Sequence, residues 1–78
     1  MTIKIYTTPT CAFCHAEKEF LKEHNIAFEE FDVAANAQAR QEMIQKTGQM
    51  GVPVTDIDGE IVVGFDKARL NKLLGLSK

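Results

Sequence analysis

Apolar and β-forming residues gather at Ile3, Ile5 and Tyr6 and stop before Pro9, a pattern that predicts a first strand over Ile3–Thr7. Thr8-Pro9-Thr10 then forms a tight loop into a helix that Thr10 is expected to cap. Along this helix Ala12, Ala16, Phe20 and Leu21 recur at helical spacing, while Glu17, Lys18, Lys22 and Glu23 are placed toward water; the helix runs to about His24, and Asn25 ends it. Ala27–Val33 reads as a second strand, although the odd spacing of Phe28 and Phe31 breaks strict alternation. Asn36 to Thr47 favours a second helix, closed by Gly48. Val54–Ile57 and Ile61–Val63 flank Asp58-Gly59-Glu60, and Asp-Gly suits the type I′ turn of a hairpin. Asp66 is placed to cap a last helix with Ala68, Leu70, Leu73 and Leu74 inward, ended by Gly75.

The predicted order is therefore βαβαββα. Two early strands joined through a helix imply a right-handed parallel βαβ unit, and the late pair adds an antiparallel hairpin to the same sheet. An α/β fold follows, with a four-stranded mixed sheet and helices on both faces.

The 78 residues, 45% of them apolar, have room for one core, so residues 1–78 are expected to form a single domain. Nine basic and 11 acidic side chains leave a formal net charge of −2 without any block of like charge, which supports neither a nucleic-acid nor a membrane partner. Apolar runs fall short of the ~18–20 residues of a membrane span, and Met1-Thr2-Ile3-Lys4-Ile5-Tyr6 lacks the order of an export signal. A cytoplasmic monomer is expected.

The two cysteines, Cys11 and Cys14, are too close to staple distant segments. They lie where the first strand hands over to the first helix. There, unpaired N–H groups and the helix dipole stabilise an anion by ~0.3–1 kcal/mol, and thiolate is the form that attacks a disulfide. The i, i+3 spacing lets Cys14 reach Cys11 within one turn. Cys11 is the expected nucleophile and Cys14 the resolving thiol. Other chemistries are less consistent with the chain. His15 and His24 lie on the same short helix as the cysteines, a poor set for tetrahedral zinc, and no metal site is expected. Cys11-Ala12-Phe13-Cys14-His15 also matches the C-x-x-C-H attachment motif of c-type haem, with Met43 or Met50 as conceivable second ligands, although both methionines read more simply as packing and loop residues.

Tyr6-Thr-Thr-Pro-Thr-Cys11-Ala-Phe-Cys14, then Gly51-Val52-Pro53-Val54, Asp58-Gly59 and Val63-Gly64-Phe65-Asp66 together resemble the glutaredoxin family of the thioredoxin fold over essentially the whole chain. The resemblance implies a dithiol carrier that reduces disulfides of proteins or small molecules, without a tightly bound cofactor. It implies a cis Val52–Pro53 bond facing Cys11, with the Val52 backbone offered to an extended substrate. It also implies a glutathione carboxylate held by Gly64 and the N–H groups of Phe65 and Asp66, and it allows a second role, a glutathione-assisted iron–sulfur cluster held through the first cysteine. Phe13 is expected to be exposed beside Cys11, where a partner would dock, and His15 to be solvated. Thr8 stands where many members have a basic residue, Ala12-Phe13 where many have Pro-Tyr, and Val63-Gly64 where Gly-Gly is usual. Glutathione and thioredoxin reductase both remain candidate electron donors.

Overall fold

The computed structural model describes residues 2–76. Seven elements follow in the order β1 (Ile3–Thr7), α1 (Ala12–Glu23), β2 (Glu29–Asp32), α2 (Ala37–Thr47), β3 (Val54–Ile57), β4 (Glu60–Val63) and α3 (Lys67–Leu74). The strands lie in the order β2-β1-β3-β4. β1 pairs parallel with β2 and antiparallel with β3, and β3 pairs antiparallel with β4. This is the mixed four-stranded sheet of a thioredoxin-like fold.

Period-two alternation on the central strands divides the core between the two faces. Ile3 and Ile5 of β1, Ile57 of β3 and Val62 of β4 meet Phe20 and Leu21 of α1 and Leu70 of α3. Tyr6 and Val54 point the other way, to Ala39 and Met43 of α2 and to Val33. The same division explains the odd spacing of the two phenylalanines. Phe28 packs on the first cluster and Phe31 on the second, so each fills a different side of a sheet that is covered twice. The ladder is shorter than the predicted Ala27–Val33: only Glu29–Asp32 pair with β1.

Turn chemistry fixes the remaining joints. Asp58 and Gly59 both have positive φ, 50° and 95°, as a type I′ hairpin requires, and the Gly59 N–H donates to Asp56 Oδ1 at 2.7 Å. The loop is only these two residues long, so β4 starts at Glu60 instead of Ile61. Asn36 and Asp66 cap α2 and α3 by accepting from the N–H groups of Ala39 and Arg69 at 3.0 and 3.1 Å.

Three expectations are corrected. Ala12 and Ala16 are exposed, and the inward stripe of α1 is Cys14, Glu17, Phe20 and Leu21. Glu17, placed toward water by its charge, is fully buried. Ala68 is exposed, leaving Leu70 as the buried residue of α3, with Leu73 and Leu74 half-buried.

Candidate functional site

β1 delivers the chain to the rim of the sheet, where Thr8-Pro9-Thr10 turns it into α1. The Cys11 N–H donates back to the Thr8 carbonyl at 3.3 Å, which closes the turn. Cys11 itself, not Thr10, is the cap: its backbone is extended (φ −89°, ψ 112°) and its sulfur accepts the Cys14 N–H at 3.2 Å. A sulfur thus takes the place usually held by a serine or aspartate oxygen. The geometry accounts for the spacing of the pair. The helix-capping donor in this arrangement belongs to the third residue after the cap, and that residue is the second cysteine.

The two sulfurs have different surroundings. Cys11 is half-exposed, whereas Cys14 is 0% exposed beneath it. Burial pushes the Cys14 thiol up to about 12, helped by its hydrogen bond with Cys11 and by the charges of Cys11 and Glu17, and opposed by a backbone hydrogen bond from Thr8. A proton is therefore held firmly on the inner sulfur while the outer one faces solvent with a backbone donor behind it. That division of accessibility and charge suits one sulfur to attack and the other to follow.

Across from Cys11 lies the loop before β3. The Val52–Pro53 peptide is cis, as the family resemblance implies, and the Cys11 thiol points at the Val52 carbonyl with Sγ···O 3.9 Å. That carbonyl therefore faces the sulfur. Pro53 is buried, and its own carbonyl accepts the Gly64 N–H at 2.8 Å, so the segment facing Cys11 is tied to the turn before α3. Gly64 has φ +80°, a left-handed conformation that costs a side-chain-bearing residue ~1–2 kcal/mol. Phe65 turns inward, edge-on to Phe20 with ring centroids 5.9 Å apart. The Asp66 N–H donates to the Gly64 carbonyl at 3.2 Å, so one of the donors expected to hold a carboxylate has a partner inside the turn.

The segments framing Cys11 carry large exposed apolar side chains: Phe13 at 67%, Met50 at 64% and Val63 at 54%. Met43, by contrast, is buried on the inner face of α2. His15 is exposed with Nε2 3.0 Å from the Pro9 carbonyl, and His24 lies against the edge of Phe20. Among the described residues no group of three or more His, Cys, Asp or Glu side chains is placed to hold a metal ion, and no helix is long and apolar enough to cross a membrane.

Besides the cap, sequence reasoning misplaced Glu17. It sits one turn beyond Cys14 on the buried side of α1, where the Thr55 hydroxyl of β3 donates to Oε2 and Oε1 has no hydrogen-bond partner. Burial pushes its carboxyl up to about 7, with the Thr55 hydrogen bond opposing. The signal was its register: Cys14, Glu17 and Leu21 fall at i, i+3 and i+7, the spacing of a single helix face. Its partner lies 38 residues away along the chain, which no local pattern reveals.

Comparison with known proteins agrees with this architecture. A family profile described as Glutaredoxin matches residues 3–62. An uncharacterized glutaredoxin-like 8.6 kDa protein encoded in a rubredoxin operon of Clostridium pasteurianum is 51% identical over 72 residues, 92% of this chain and 96% of that protein. Among solved structures, the T8A mutant of the thioredoxin-like protein BC3987 superposes with a TM-score of 0.92 at 41% identity, covering 97% of both chains. The glutaredoxin-like NrdH-redoxin of Escherichia coli, described as having a thioredoxin-like activity profile, superposes at 0.82 with 30% identity over 94% of this chain and 95% of its own. With its cysteine pair at the mouth of α1 and a cis-proline opposite, the chain belongs to the glutaredoxin family.

Proposed function

We propose that this chain is a single-domain dithiol oxidoreductase that reduces disulfides in the cytoplasm. Cys11 attacks a substrate disulfide as the thiolate, one sulfur of the substrate leaves with the bonding electron pair as a thiolate that solvent protonates, and a mixed disulfide joins Cys11 to the other. Cys14 then attacks Cys11, releasing the second substrate thiol and leaving a Cys11–Cys14 disulfide for an external reductant to open. The observation that carries the reading is the Cys14 N–H donated to the Cys11 sulfur at 3.2 Å, with the Cys14 side chain buried directly behind. Val52 and Pro53 line the substrate's approach, Phe13 offers apolar contact to a protein substrate, and the Gly64-Phe65-Asp66 turn bounds the far side.

For the electron donor we favour thioredoxin reductase over glutathione. Thr8 is neutral at a position where a cation would assist glutathione, and the similar NrdH-redoxin carries a thioredoxin-like activity description.

Trapping tests the assignment of roles. Cys14→Ser incubated with a disulfide substrate accumulates the mixed disulfide, seen by intact mass, and Cys11→Ser accumulates none. Equal trapping by both variants refutes the assignment.

A further inference from the structure

The reaction above leaves one proton without a destination. Cys14 must lose its proton to attack Cys11, yet its side chain is 0% exposed, so bulk water does not reach the sulfur in this conformation. Resting on the proposed dithiol reaction, we infer that Glu17, buried one helical turn beyond Cys14 with one carboxyl oxygen lacking a partner, is the internal base that takes up this proton during the resolving step.

Residues at i and i+3 on one helix face are neighbours, with Cβ atoms ~5–6 Å apart. Cys14 and Glu17 are both on the inward stripe of α1. A fully buried carboxyl is costly, and one that serves only packing is expected to have both oxygens satisfied. Here Thr55 engages Oε2 alone, which fixes the group while leaving Oε1 able to receive a proton. Among the described residues, the rest of that face supplies no competitor. β1 contributes Ile5 and Thr7, β4 Val62 and α3 Leu70, while the Glu30 carboxylate of β2 is occupied by Lys18 at 2.7 Å and by the Thr7 hydroxyl at 2.8 Å. The titratable groups left beside Glu17 are Cys14 and, beyond it, Cys11.

The charge balance favours the transfer. If Glu17 kept its charge, Cys14 would have to become a second anion in the same apolar space. If Glu17 takes the proton, the S–H bond of Cys14 breaks as the carboxyl O–H forms, and the pair stays at one negative charge. The new thiolate then attacks the Cys11 sulfur, the Cys11–Cys14 bond forms, and the bond to the substrate breaks with its electron pair on the departing sulfur. Glu17 keeps the proton until an external reductant opens the Cys11–Cys14 disulfide, when Cys14 leaves as a thiolate and takes the proton back, so neither buried group needs contact with bulk water. The group is matched to the task, since burial sets it near neutrality, where a base is half-ionised. Formation of the mixed disulfide also consumes the Cys11 thiolate, removing two of the influences that hold the Cys14 proton in the free protein.

A chromogenic aromatic disulfide, dithiobis-nitrobenzoate, reads both steps in one stopped-flow trace: the first coloured thiolate reports attack by Cys11, the second reports resolution by Cys14. In the unsubstituted protein the second release is expected to accelerate through pH about 7 as Glu17 ionises. Glu17→Gln should keep the first release and slow the second by at least about 10-fold at neutral pH, general bases contributing ~10²–10⁴, and its second release should lack the inflection. Glu17→Asp, which restores a carboxyl, should regain it. An unchanged second release and inflection in Glu17→Gln overturns the proposal. So does loss of both releases in both variants, which would assign Glu17 to the fold. Absence of the first release in the unsubstituted protein would count against Cys11 as nucleophile, and hence against the proposed function.

Discussion

The backbone N–H of Cys14 donates to the sulfur of Cys11 at 3.2 Å, so the inner cysteine serves its outer neighbour through the main chain while its own thiol stays protonated beneath. Selective alkylation follows. At neutral pH iodoacetamide should modify Cys14 at least about 100-fold more slowly than Cys11, since the Cys14 thiol is buried and held protonated and thiolate content and access both govern the reaction. Peptide mapping after timed quenching reads the ratio. Equal labelling of the two sulfurs would show that the cap does not discriminate between them.

Glu17 gives stability an unusual pH dependence. A carboxyl raised from 4.5 to about 7 binds its proton more tightly in the folded than in the unfolded chain, so folding is favoured when the group is protonated. This stabilisation is fully present below about 4.5 and is lost as pH rises to about 7. At about 1.36 kcal/mol per pKa unit, the loss across that window is about 3 kcal/mol. Glu30, Glu42 and Asp56 are shifted downward, so their contribution has the opposite sign and is lost below the usual carboxylate range. Urea unfolding at pH 5 and pH 8 should therefore show greater stability at pH 5, and Glu17→Gln should abolish most of that difference. Equal slopes with pH in the two proteins would mean that Glu17 is not buried as an acid.

Much of this architecture was legible because local chemistry and tertiary structure agree. Asp58-Gly59 specifies a turn that only residues tolerant of positive φ adopt, Asn36 and Asp66 cap the helices they precede, and the apolar residues of β1 alternate between two covered faces. Two details were hidden for different reasons. Thr10 is a better cap than cysteine by average preference, but Cys11 lies at the extended position from which a side chain reaches the third N–H of the helix. Glu17 violates the rule that charged residues face water, and what permits the violation is Thr55, on a strand 38 residues later. The placement of the cysteine pair at the mouth of α1 was readable from spacing. The buried carboxyl behind it needed the fold.

Phe13 separates docking from folding. Its ring is 67% exposed, so Phe13→Ser should shift stability by no more than about 0.5 kcal/mol. If the ring meets a protein partner, the same substitution should lower kcat/KM for a protein disulfide by about 10-fold, the worth of ~1.4 kcal/mol of apolar contact. Turnover of a small disulfide should change little. An equal loss on both substrates would place Phe13 in the reaction itself and not at a docking surface.

The electron donor can be decided by adding the charge that this chain lacks. Thr8 ends half-buried at the rim of β1, and it serves the site through its backbone: its carbonyl accepts the Cys11 N–H at 3.3 Å, and a backbone hydrogen bond from the same residue lowers the Cys14 thiol. Its side chain can therefore be exchanged without disturbing either contact. With thioredoxin reductase and NADPH the unsubstituted protein should turn over a disulfide substrate faster than with glutathione and glutathione reductase. Thr8→Lys places a cation beside Cys11, where a glutathione carboxylate gains ~0.2–1 kcal/mol from a solvent-exposed pair. Glutathione-coupled kcat/KM should then rise by about 1.4- to 5-fold, and the increase should shrink with added salt. The rate with thioredoxin reductase should stay the same if the cation acts through the glutathione carboxylate. Faster glutathione turnover in the unsubstituted chain would reverse the preference for thioredoxin reductase, while equal gains with both donors would show that the lysine acts on Cys11 and not on glutathione.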